Sequence, residues 1–164
     1  MKIQSYIEKL KESEKHKEFV EKNSEAYFSA GFFVIDLLEN KNLHQIDYYL
    51  PIEKKMATFM LDDDEVSLNI SEPSNNTIPE EITNKITMDL DLLKKIIEDE
   101  MKNKSITKSI QKIIAIVYSI NNQILWNVNC IMSDMAIIKA TVEDENHSLD
   151  KFEVINVFDA VKKI

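Results

Sequence analysis

The chain of 164 residues is enough for one domain, or for two very small ones that share a core. Its 29 acidic and 20 basic residues leave a net charge of −9, and every basic residue is lysine. That balance argues against nucleic acid, since phosphate neutralisation and guanine reading call on clustered lysine and arginine, and no apolar run approaches the ~18 residues of a membrane helix.

The N-terminal stretch MKIQSYIEKLKESEKHKEF has no apolar core of signal-peptide length. A soluble, cytoplasmic protein with no membrane partner is the expectation. Residues 2–22 predict one charged surface helix, with Ile3, Tyr6, Ile7 and Leu10 as its apolar stripe and Phe19 and Val20 as its return. From Tyr27 the chain is strongly apolar. Its β-branched and aromatic content, and a glycine at Gly31 that suggests a bulge or a crowded spot, favour a strand there. A buried helix over residues 24–38 is the rival reading. A turn at Glu39–Asn42 leads to an alternating strand with His44, Ile46, Tyr48 and Leu50 on one face, ended by Pro51. Met56–Leu61 predicts a third strand and Val66, Leu68 and Ile70 a fourth, with the acidic run Asp62–Glu65 as the turn between them.

Residues 71–77 read as a linker. Thr77-Ile-Pro-Glu80 fits a capping box, which predicts a short helix to about Lys85. Asp89 then caps a longer helix with Leu90, Leu93, Ile97 and Met101 on one face. The run Ile113–Val117 has no polar face and predicts a strand covered on both sides. Asn121-Asn122 suits a hairpin turn, because asparagine tolerates positive φ. The following strand alternates strictly, with Trp126, Val128, Cys130 and Met132 on one face and Asn127 and Asn129 on the other. The lone cysteine, Cys130, reads as a small buried hydrophobe. A strand over Met135–Val142, a turn at Glu143–His147 and a tail that passes from strand into a last helical turn complete the chain.

Helix followed by meander occurs twice. At a shift of 82 residues, Phe32–Leu50 aligns without gaps on Ile114–Met132, with Gln45 on Asn127 and Asp47 on Asn129. The expected fold is therefore α+β: two helix–β-meander repeats, residues 1–72 and 73–164, forming antiparallel sheet(s) with helices packed on them in one compact unit. The DLLKKIIEDEM helix, the ILWNVNCI strand and the acidic turn of TVEDENHSL, all within residues 89–157, resemble the PepSY-like class of small domains. That class commonly carries an Asp-x-x-x-Gly-type turn where this chain has no glycine. The resemblance implies a non-catalytic binding or inhibitory module and transfers no catalytic residue.

Asp62-Asp63-Asp64-Glu65 lacks the alternate acids and the glycine of an EF-hand loop. His16, His44 and His147 have no zinc-motif spacing. Odd spacing on a strand puts His44 and Asp47 on opposite faces. With one glycine in the chain, a nucleophile elbow or phosphate loop has no material. No metal, cofactor or catalytic residue is expected. The candidate ligand-binding positions are Gln45, Asp47, Tyr49, Asn127 and Asn129, a polar patch across the sheet. The expected function is a non-enzymatic interaction module that binds a protein partner or self-associates. The alternative is a small-molecule-binding protein or small enzyme using sheet-face groups such as His44, Asp47 and Tyr49.

Overall fold

The computed structural model describes residues 2–61 and 65–156. Eight antiparallel strands form a single sheet: β1 (Tyr27–Asp36), β2 (Asn42–Leu50), β3 (Lys55–Leu61), β4 (Val66–Ser71), β5 (Ile110–Ile120), β6 (Gln123–Met132), β7 (Ile137–Glu143) and β8 (Leu149–Ile155). Among the described residues three helices accompany them: α1 (Ile3–Glu12), α2 (Glu14–Lys22) and α3 (Leu90–Asn103). The strand order is β4-β3-β2-β1-β5-β6-β7-β8. Each run of four is a meander, and the two meet along β1 and β5, from Ala30 opposite Tyr118 to Asp36 opposite Lys112.

This overturns the expected α+β architecture of two helix–meander repeats. The fold is mainly β, one continuous sheet with three short helices, and the helices do not divide it into two helix-plus-sheet units. The β1–β5 pairing is the physical reason. It satisfies the backbone groups of two strands that would otherwise be edges, and so merges both meanders into one layer.

One face of the sheet is packed against the helices. Phe33, Ile46, Phe59, Ala115, Val117, Trp126, Cys130 and Ile138 are fully buried there, together with Ile3, Leu10, Leu93 and Ile97 from the helices. Gly31 belongs to this face. A Cβ there would stand 2.8 Å from the Phe33 ring and 2.9 Å from Val117 Cγ1, so the crowding read from the sequence is real. The β1–β2 register shifts between Phe28 and Ala30, next to it. Both Asn121 and Asn122 adopt positive φ (52° and 63°) at the β5–β6 turn, as asparagine allows.

The single N-terminal helix is broken at Ser13, whose backbone is extended (φ −71°, ψ 146°). Its hydroxyl accepts from His16 N at 3.2 Å and so caps α2, and it reaches back to Leu10 O at 2.6 Å. A residue that can serve both helix ends lets the chain bend around the sheet. The short helix expected before Lys85 does not form. Residues 72–88 run without regular structure as a strap across one end of the sheet, where Ile82 N donates to Phe28 O at 2.8 Å. Glu80, the residue that would have closed the capping box, binds elsewhere: its carboxylate accepts from Asn121 N (2.7 Å) and Asn122 N (3.2 Å). The cap at Asp89 is present, with its side chain accepting from Leu92 N at 2.6 Å. Most of the acidic turn and the expected helical turn of the tail lie outside the described residues.

Candidate functional site: the open face of the sheet

The second face of the sheet carries none of the three helices. Strand register sets out its side chains in rows. One row reads Met60, Gln45, Phe32, Ile116, Asn127 and Thr141 across β3, β2, β1, β5, β6 and β7. The next reads Leu43, Val34, Ile114, Asn129 and Lys139. Along the β1–β5 seam, Phe32, Val34, Ile114 and Ile116 therefore form a contiguous apolar block, each side chain half-buried by its neighbours. The strand expected to be covered on both sides is covered on one only. Its alternate apolar residues face outward, with no helix of the described residues above them.

The five candidate residues do lie on this face, but not as one patch. Gln45 and Asp47 border the apolar block on the β2 side, and Asn127 and Asn129 border it on the β6 side. Three strand spacings, roughly 14 Å, separate Gln45 from Asn127. Tyr49 is set apart. It is 5% exposed, against the Tyr27 ring at 5.6 Å, where the strap crosses and Tyr27 Oη donates to Pro79 O at 2.7 Å. Its role there is packing under the strap.

The two borders differ in chemistry. On the β2 side, Asp47 Oδ1 accepts from Thr58 Oγ1 (2.9 Å) and Gln45 Nε2 (3.1 Å). Burial raises the Asp47 pKa above the ordinary carboxylate value, and the hydrogen bonds from Thr58 and Gln45 only partly offset it. A groove of about 290 Å³ adjoins it, between Ser29, Ala30, Met56 and Thr58 of the sheet and residues 71–79. On the β6 side, Asn127 Oδ1 accepts from Tyr118 Oη and Thr141 Oγ1, both at 3.3 Å. A shallow depression of about 320 Å³ there is lined by Asn127, Asn129, Lys139, Thr141, Lys151 and Glu153.

The remaining candidates lie on the helix-covered side of the sheet. His44 is on the opposite face from Asp47, as its parity requires, and stacks on Tyr6 with ring centroids 4.2 Å apart. His16 is buried on α2 with Nε2 2.9 Å from Tyr48 Oη. Burial, with Lys11 nearby, holds its pKa below the ordinary imidazole value. Burial pushes the Cys130 thiol up to about 12, with the Glu98 charge adding to it, which keeps the thiol protonated and unreactive. Among the described residues, no three His, Cys, Asp or Glu side chains gather to hold a metal ion.

Sequence reasoning missed Asp144. Its carboxylate, 2% exposed, accepts from Trp126 Nε1 (2.9 Å), Met88 N (3.0 Å) and Thr87 N (2.8 Å). It ties the end of the strap to β6. Its place in the run Glu143–His147 gave it the look of one more solvated turn acid. Only the nearby buried indole, which needs an acceptor, hinted at more.

No family model and no curated protein matches this chain. Among solved structures it is similar to a putative lipoprotein from Clostridium difficile 630, with a TM-score of 0.57 and 10% identity, over 84% of this chain and 88% of that one. At that identity the likeness is one of fold alone.

Proposed function

We propose that the chain is a non-catalytic binding module that takes a protein partner on the open face of its sheet. One observation carries this reading. Phe32, Val34, Ile114 and Ile116 form an apolar block with no helix of the described residues over it, bordered by the amides and hydroxyls of Gln45, Thr58, Asn127 and Thr141. An apolar centre within a polar rim is the composition of a protein interface. The edges of the sheet fit self-association less well. β4 has six residues and carries Ser67, Asn69 and Ser71, while β8 carries Lys151 and Glu153, and short or charged edges resist strand addition. The resemblance of residues 89–157 to PepSY-like domains supports the same reading.

The test places a photo-reactive benzophenone side chain at Ile116, and separately at the exposed Lys95 of α3, in cells of the source organism. A discrete adduct formed at position 116 and not at 95, and lost when Ile114→Asp is added, is the expected result. Equal labelling at both positions, or none at 116, refutes the proposal.

A further inference from the structure

Asp47 is a half-buried carboxylate whose side-chain hydrogen-bond donors, Thr58 and Gln45, are both neutral. Thr58 and Gln45 donate to Oδ1, while Oδ2 receives only a long contact, 3.4 Å, from the same Gln45 amide. The ion pairs among the described residues involve other carboxylates. The lysine nearest in the β3 register, Lys55, lies 4.0 Å from Glu72 on the rim of the groove. A carboxylate withdrawn from water without a counter-charge is unfavourable for the folded chain. Here it stands at a groove of about 290 Å³, beside the apolar block, on the face that carries no helix of the described residues. A net charge of −9 also favours approach of a basic partner.

We propose that the Asp47 groove receives a lysine or arginine side chain of the protein docked on the open face. This rests on the preceding reading of that face. The cation forms a charge-assisted hydrogen bond with Oδ2 while Thr58 and Gln45 hold the carboxylate in place. Phe32 and Ile116 pack against the partner's apolar residues alongside. The pocket thus confers selectivity for a basic residue at one position of the partner's surface.

The probes are Nα-acetyl-lysine amide and Nα-acetyl-arginine amide, with Nα-acetyl-norleucine amide as the uncharged control, titrated into the isotope-labelled full chain and followed by NMR. The expected result is a saturable shift of the Asp47 carboxyl carbon and of the Thr58 and Gln45 resonances with at least one cationic probe. Binding should be about tenfold or more weaker for the norleucine probe and for Asp47→Asn, the discrimination of one charge-assisted hydrogen bond. Asp47→Asn keeps the side-chain shape and removes the buried charge, so its thermal midpoint at neutral pH should equal or exceed that of the parent chain, separating lost binding from lost fold. Equal binding by the norleucine probe, or undiminished binding by Asp47→Asn, overturns the proposal. So does the absence of any shift, and the Ile116 cross-link then decides the open-face reading on its own, since it reports a docked protein whether or not the carboxylate takes part. Binding of free putrescine about a hundredfold tighter than either amino-acid amide also overturns it, in favour of a small-amine site.

Discussion

Replacing Asp144 by alanine tests how the strap is held to the sheet. The substitution removes the acceptor from three N–H donors: the Trp126 indole, Met88 N and Thr87 N. Trp126 and Met88 are fully buried, so water cannot replace the carboxylate for either donor, whereas Thr87 is exposed and can rehydrate. A buried donor left without a partner costs about 1–3 kcal/mol. Two such donors, plus a small cavity, place the loss for Asp144→Ala at about 3–5 kcal/mol. Asp144→Asn should cost less, about 1–2 kcal/mol, because its one remaining oxygen can still serve the Trp126 and Met88 pair. Urea unfolding at pH 7, followed by fluorescence, reads both variants cleanly because Trp126 is the sole tryptophan. The native emission of Asp144→Ala should also move to the red as the strap loosens over the indole. A loss under about 1 kcal/mol for Asp144→Ala would refute the reasoning, since it would mean that water satisfies these donors in the native protein.

Two further outcomes follow from the packed face. His16 is held below its ordinary pKa by burial, then by Lys11, so the folded state favours the neutral ring. Its contribution is complete above about pH 6.5 and is lost as pH falls towards the lower folded-state value, because the unfolded chain then binds more protons. His16→Phe should flatten the fall in thermal midpoint between about pH 7 and 5, and parallel curves for the two proteins would refute this. Gly31→Ala drives a methyl group into the Phe33 ring and Val117, at 2.8 and 2.9 Å, and should cost about 1–3 kcal/mol by urea denaturation; a cost under about 0.5 kcal/mol would mean that the two side chains yield freely.

The parity of β6 was legible from alternation alone. Trp126, Val128 and Cys130 face the core and Asn127 faces outward because a side-chain period of two leaves no other choice once one face is apolar. The Asp89 cap was legible for a comparable reason, a local hydrogen bond between a short acid and a nearby N–H. What alternation does not encode is the other side of each relationship. A run such as Ile113–Val117 states that both faces are apolar, not that both are covered. The capping box at Thr77–Glu80 was locally sound, yet the two backbone donors of the β5–β6 turn, 41 and 42 residues away, hold Glu80 instead. Ser13 had the composition of a helix interior with a polar face and became a joint because its hydroxyl can serve both helix ends. All five candidate residues were assigned to the right face, Gln45, Asp47, Tyr49, Asn127 and Asn129, though the strap buries Tyr49. Their separation by an apolar block depended on which strand of one meander met which strand of the other, a pairing between distant segments that no local pattern specifies.

The β1–β5 seam also sets terms for how the chain reaches its native state. Its partners are far apart in sequence: Ile35 meets Ile113, and Ala30 meets Tyr118. Each meander can assemble from adjacent hairpins, but joining them closes a long loop, so seam formation is the slow, high-contact-order step. Until it happens, each half presents a ten- or eleven-residue strand with apolar side chains on both faces and one unsatisfied edge, a surface prone to pair with another chain. A second copy offers the same edge in the same register. Crowded refolding therefore favours exchange of halves between chains, with the strap of residues 72–88 as the hinge, and dilution favours the closed monomer.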